Sequence, residues 1–277
     1  MISIKNLHFS YGKKKVFDGL ELQLEPGHIY GLLGKNGTGK STLLKNIAGL
    51  LYPKKGLIEV DGFHPSKRST AFLQQIFMIP EEFYISDISL EKLVKYHASF
   101  YPSFDNTLFE KYINEFEIPA ANTIHQMSYG QKKKVLIGFC LACNTKVILM
   151  DEPTNGLDII SKSQFRKVIA GAIDESKSII ISTHQVKDLE SLIDRVIVID
   201  EGQILFDQTV DAITSKLSFK ISFDSDEVRN VLYSESSIRG TAIVTKNEDN
   251  DESKLDLELL YKAIVTNRQK IQNIFNA

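Results

Sequence analysis

The chain has 277 residues, 43% of them hydrophobic and 25% charged, with a formal net charge of −2 at pH 7. That is apolar material for one large domain, or one domain with a small appendage, and the near-balanced charge gives no electrostatic reason to expect nucleic acid as a partner. No stretch approaches the roughly 18 consecutive apolar residues of a membrane span, and the start Met1-Ile2-Ser3-Ile4-Lys5 lacks a signal peptide's apolar core, so a cytoplasmic protein is expected.

Ile2, Ile4 and Leu7, then Leu20, Leu22 and Leu24, alternate as half-buried strands do, punctuated by Tyr11-Gly12 and Pro26-Gly27, so the chain opens with antiparallel β-structure. An apolar run over 29–33 leads directly into Gly34-Lys35-Asn36-Gly37-Thr38-Gly39-Lys40-Ser41, which fits G-x-x-x-x-G-K-[ST] in the strand–loop–helix context that a phosphate-binding loop requires. The glycines let successive N–H groups curl toward phosphates, and a helix predicted over 41–51, with Ser41 and Thr42 in its first turn, adds its positive N-terminal end. Lys40 is placed to reach the β and γ phosphates of a nucleoside triphosphate. The Ser41 hydroxyl is placed for Mg²⁺, a hard cation that takes few protein ligands in such sites.

Short strands follow over 57–60, closed by Asp61-Gly62, and over 76–79, ending at Pro80. From 89 to 116 the apolar period becomes helical, an insertion spanning about 82–140. Cys140 and Cys143 form a C-x-x-C inside an apolar stretch with no second pair, which reads as buried small hydrophobes rather than a metal or redox site. The runs 147–150, 178–182 and 195–200 are continuously apolar, as in central strands covered on both faces. The first ends in Asp151-Glu152, two carboxylates at the strand edge where ligands bind in parallel sheets: Asp151 is placed to hold Mg²⁺, and Glu152 to polarise an attacking water. Beyond Lys216 the pattern changes. Leu217, Phe219, Ile221 and Phe223 alternate as a strand, Val228, Val231 and Leu232 suit a short helix, and Ile243-Val244 a strand. An acidic loop over 248–252 and one closing helix through Leu257, Leu260, Ile264 and Ile271 complete the segment. The division expected is 1–215 as the main domain and 216–277 as a small α/β appendage.

With these motifs in order, the sequence resembles the ATP-binding-cassette ATPases over about residues 1–214. Met127-Ser128-Tyr129-Gly130-Gln131 resembles the family's L-S-G-G-Q signature, Asn155-Gly156-Leu157-Asp158 the loop that crosses its dimer interface, His184 its switch histidine, and Tyr11 the aromatic residue that stacks on adenine. The resemblance implies an α/β fold, a P-loop NTPase core with an antiparallel β subdomain and a helical insertion. It also implies two cassettes packed head to tail around two ATP molecules. Each site would combine Lys40, Ser41, Glu81, Asp151, Glu152 and His184 of one chain with Ser128 and Gly130 of the other, either a second copy or a related cassette. Gln131 and Asp158 belong to the same nucleotide surface.

The sequence departs from the family pattern in three places. Glu81 stands where a Mg²⁺-sensing glutamine is usual, adding negative charge beside the triphosphate. In the signature, Tyr129 replaces the first glycine and Met127 the leucine. Lys132, Lys133 and Lys134 follow at the start of a helix, where cations oppose its dipole; they form either a solvated basic face or a surface that meets the partner's triphosphate. The resemblance further implies separate membrane-spanning subunits docked near residues 81–88, and a location on the inner face of the membrane. Phe100-Tyr101-Pro102-Ser103-Phe104-Asp105 and Pro80-Glu81-Glu82 are similar to bacterial exporter cassettes of the antibiotic and peptide-efflux kind. The alternative is a cassette that remodels a soluble scaffold, as in iron-sulfur cluster assembly.

Overall fold

The computed structural model describes residues 1–119, 123–222, 231–238, 240–247 and 253–276. Strands β1 (Ile2–Tyr11), β2 (Lys14–Leu24) and β3 (His28–Leu33) precede helix α1 (Lys40–Ile47), followed by β4 (Lys55–Val60), α2 (Thr70–Leu73) and β5 (Ile76–Ile79). Helices α3 (Leu90–His97), α4 (Asn106–Glu115) and α5 (Tyr129–Ala142) form the helical insertion. The core resumes with β6 (Val147–Asp151), α6 (Ile159–Ala170), β7 (Ser178–Thr183), β8 (Arg195–Asp200) and β9 (Gln203–Thr209). The chain closes with α7 (Val210–Lys216), β10 (Leu217–Ser222), β11 (Val231–Ser237), β12 (Gly240–Lys246), α8 (Leu257–Thr266) and α9 (Arg268–Asn276).

A six-stranded sheet in the order β5-β6-β7-β3-β8-β9 organises the molecule; its strands run parallel except β9, which pairs antiparallel with β8. Because side chains alternate along a strand, each central strand feeds two cores. Tyr30, Leu32, Leu149, Ile180 and Ile197 face α1 and the antiparallel sheet β2-β1-β4, while Ile29, Leu33, Ile148, Ile181 and Val198 face α5, α6 and the C-terminal elements. The parallel strands end together, and the loops that follow β3, β6 and β7 meet at that edge, which brings residues 34–41, 151–152 and 183–184 into one place. Among the described residues no helix is long and apolar enough to cross a membrane. Cys140 and Cys143 are buried free thiols whose pKa values burial pushes up, as small hydrophobes should be.

Three expectations about elements change. The helix after the phosphate loop stops at Ile47 rather than 51, because Gly49 turns the chain with φ +66° against the Pro65 carbonyl, where no Cβ fits. Val231 and Leu232 lie in β11 and not in a helix: pairing with β12, Tyr233 opposite Val244, outweighs the local period, and Val228 lies outside the described residues. The closing helix is two helices broken at Asn267, whose side chain leaves the helical path to donate to the Leu232 carbonyl at 2.8 Å. The acidic tract over 248–252 lies outside the described residues.

Candidate functional site

The loop between β3 and α1 is built around glycine. Gly34 sits where a Cβ would come within 2.5 Å of the Ile199 carbonyl, and Gly39 takes φ +109° with Phe17 packed against it. Gly39 is the N-cap of α1 and supplies no side-chain acceptor, so the first N–H groups of that helix keep their hydrogen-bonding capacity for a ligand. Thr38 Oγ1 donates to the Lys35 carbonyl at 2.9 Å and pins the loop, leaving Lys35, Asn36 and Gly37 exposed. Lys40 is buried. Its Nζ donates to the Gly34 and Lys35 carbonyls at 2.8 and 3.1 Å and lies 3.8 Å from Glu152 Oε1. Burial lowers its pKa, opposed by the nearby Glu152, Asp151 and Glu81 carboxylates. Ser41 is partly buried, and Thr42 Oγ1 lies 3.4 Å from the hydroxyl of Tyr11. Tyr11 is 49% exposed and braced edge-on by Phe9 at 5.0 Å, a ring held at the mouth of the loop with an open face.

Asp151 ends β6, separated from β3 by β7, and Glu152 follows it; both are buried. The Asp151 carboxylate accepts a hydrogen bond from the Ser182 hydroxyl. Glu152 adopts φ +47°, a left-handed conformation that a non-glycine residue rarely takes. Its carboxylate accepts from Thr183 Oγ1 at 3.1 Å and from His184 Nδ1 at 2.8 Å. A carboxylate only accepts, so Nδ1 carries the hydrogen and Nε2 is left uncommitted to Glu152. Glu81, from the loop after β5, accepts from Asn155 Nδ2 at 3.0 Å, and Asn155 Oδ1 accepts from Gln185 at 3.1 Å.

The signature residues stand apart from this cluster. Ser128 and Gln131 form a reciprocal capping box at the start of α5, Ser128 Oγ accepting the Gln131 N–H and Gln131 Oε1 accepting the Ser128 N–H. Gly130 packs against the Gly156 carbonyl, where a Cβ would come to 3.2 Å. Asp158 caps α6, accepting from the Ser161 N–H at 2.7 Å, which holds its carboxyl below the usual range. Among the described residues no hydrogen bond or ion pair links Ser128, Gly130, Gln131 or Asp158 to loop 34–41.

Several side chains that shape the site carried no signal in the sequence. Ser182, Thr183 and Gln185 have common polar identities that no motif marks: Ser182 and Thr183 donate to the Asp151 and Glu152 carboxylates, and Gln185 holds Asn155, from the 155–158 motif, beside Glu81. Lys133 and Lys134 are buried rather than part of a solvated basic face, since α5 lies across the core and not on its surface. A cavity of about 600 Å³ joins Gly34, Lys35, Asn36 and His184 to Glu258 and Tyr261 of α8, so a C-terminal helix walls the phosphate loop. Tyr261 keeps a buried hydroxyl facing the Lys35 backbone. A second groove, about 750 Å³, lies between the core and the helical insertion, lined by Leu73, Ile85, Leu93 and Tyr101 with the exposed Tyr84 and Phe100 at its rim.

The family model for ABC transporters matches residues 17–155 of the chain. YtrB, an ABC transporter ATP-binding protein of Bacillus subtilis, is 26% identical over 263 residues, 92% of this chain and 90% of its own length. The lantibiotic transport ATP-binding protein SrtF of Streptococcus pyogenes is 30% identical across 76% of this chain and 92% of its own. The cobalt import ATP-binding protein CbiO of Salmonella typhi is 35% identical across 74% and 79%. A solved ATP-binding subunit of an ABC transporter shares the fold with a TM-score of 0.69 at 25% identity, over 76% of this chain and 90% of that one. Motifs, fold and relatives agree: the chain belongs to the ABC transporter family and is an ATPase, the ATP-binding motor subunit of such a transporter.

Proposed function

We propose that this chain powers export, held at the inner face of a membrane by separate spanning subunits, and that two cassettes pair with ATP between them. The observation that carries the catalytic part is the Glu152 carboxylate, buried, oriented by Thr183 and His184, and 3.8 Å from the phosphate-loop lysine. In this reading loop 34–41 and Lys40 bind the triphosphate and Tyr11 stacks on adenine. A water attacks the γ phosphorus and gives its proton to Glu152 as the bond from that phosphorus to the β–γ bridging oxygen breaks, leaving ADP and inorganic phosphate, while the His184 Nδ1–H keeps the carboxylate turned toward that water. Ser128 and Gly130 offer the α5 N-terminus to the nucleotide of the partner cassette.

Among the described residues no three His, Cys or carboxylate side chains converge as a self-contained metal centre. Hydroxyl and carboxylate oxygens from Ser41, Asp151 and Glu81 nevertheless fit a hard cation that completes its shell with phosphate oxygens and waters. Mg²⁺ bound there would neutralise charge that develops on the phosphates. The groove between core and insertion suits the membrane subunit, because Tyr84 and Phe100 expose 88% and 65% of their surfaces at its rim. Outward transport is supported by the resemblance of residues 80–82 and 100–105 to exporter cassettes.

The test is affinity capture of the chain from gently solubilised native membranes, followed by flux measurement on the captured complex in vesicles. A polytopic partner and ATP-driven outward flux are expected. Inward flux would reverse the direction proposed, and capture of soluble proteins alone would favour scaffold remodelling.

A further inference from the structure

Lys133, one turn into α5, is 0% exposed. A buried ammonium is costly unless its hydrogens are used, and here the partners are specific. Its Nζ donates to the Asn155 carbonyl at 2.9 Å and to the Glu152 carbonyl at 3.2 Å, and lies 5.3 Å from the Tyr129 ring centroid. The Glu152 carbonyl also accepts the Asn155 N–H at 3.2 Å, so Lys133 clamps both ends of a closed turn over 152–155. That turn begins at the left-handed Glu152, φ +47°, whose backbone would otherwise relax toward the commoner regions. Burial lowers the Lys133 pKa, and the Glu81, Glu152 and Asp151 carboxylates oppose that shift.

The clamp has a second anchor. Tyr129, in the signature segment, donates to the Glu81 carbonyl at 2.9 Å and stacks on Phe83 at 5.2 Å. The first two turns of α5 are thus tied to both loops that carry the acidic residues of this chain's own site. The N-terminus of the same helix carries Ser128 and Gly130.

We propose that Lys133 is a positioning residue: it holds Glu152 in its left-handed conformation and links the signature end of α5 to the carboxylate of the same chain. This rests on Glu152 being the general base, and the two ideas fail differently.

The test is steady-state ATPase kinetics of Lys133→Met, which keeps an unbranched apolar stem one atom shorter and removes the donors, alone and combined with Glu152→Gln. Lys133→Met should lower kcat about 10-fold, because a small misplacement of a reacting group has that scale of effect, with KM for ATP within about twofold of wild type. In the Glu152→Gln background it should cost little more, since the group it positions is already gone. Unchanged kcat in Lys133→Met, or losses that multiply in the double variant, would overturn the positioning role while leaving the base reading intact. Wild-type turnover in Glu152→Gln alone would overturn both. If the Met variant does not fold, Lys133→Leu, which also has no donor, should lower kcat at unchanged KM, and wild-type kinetics there would overturn the proposal.

Discussion

At the residue scale the site sets two opposite charges against each other in a place water barely reaches. The isosteric change Glu152→Gln keeps the space and the contacts to Thr183 and His184 but cannot take a proton, so ATP binding should persist while turnover falls ~10² or more. Normal turnover in that variant would place the base elsewhere. Lys40 makes a prediction in pH. Burial lowers its pKa in the folded chain relative to the ordinary lysine value of about 10.4, so between those two values the unfolded chain binds more protons than the folded one. Nucleotide-free stability therefore rises with pH across that window as the folding penalty on the ammonium disappears. ATP affinity should fall over the same window, because the neutral amine loses its charge-assisted bond to the phosphates. Subtracting the pH profiles of Lys40→Met from those of the wild type isolates this group. Two differences of the same sign would show that Lys40 does not meet the phosphates.

At the element scale the C-terminal segment packs into the apolar cluster of the main domain. Leu217, Val244, Leu257, Leu260 and Ile264 join the apolar cluster beneath the central sheet, Phe206 packs edge-on against Phe275 at 5.0 Å, and Lys187 pairs with Glu258 at 2.8 Å. A chain ending at 215 should consequently lose cooperative thermal unfolding or melt well below the full chain, and scanning calorimetry of the two lengths decides it. Equal melting temperatures would mean that 216–277 is an independent appendage. The same segment shows what the sequence could and could not convey. The loop 34–41 was legible because its glycines and lysine have fixed spacing, and β3, β6, β7 and β8 because central parallel strands are apolar without interruption. β11 was not, because a seven-residue edge strand reads like a short helix until β12 is beside it. Lys133 was hidden for a related reason: a run of three lysines looks solvated, and only the path of α5 through the core shows which of them is turned inward.

At the scale of the whole molecule, the two groups of residues that we propose to contact nucleotide do not meet within one chain. Its phosphate loop, Glu152 and His184 form one cluster, while Ser128 and Gly130 sit at the start of α5, joined to the 152–158 loop and not to the phosphate loop. Next to that second group, Ile159 and Ile160 expose 86% and 70% of their surfaces, an apolar pair that a solitary chain leaves in water. Both features are accounted for if a second cassette supplies the missing half, and the consequence is kinetic. ATPase rate per chain should rise with protein concentration at saturating ATP and level off once pairs predominate, because a lone chain lacks half of each site. Glu152→Gln, which keeps ATP bound, should sediment as a dimer with ATP and as a monomer with ADP, and Ile160→Asp should hold it monomeric in both by placing a charge in the contact. A rate per chain that stays constant over a hundredfold range of concentration, with monomers throughout, would mean that a single chain completes its own site and that the exposed isoleucines meet some other surface.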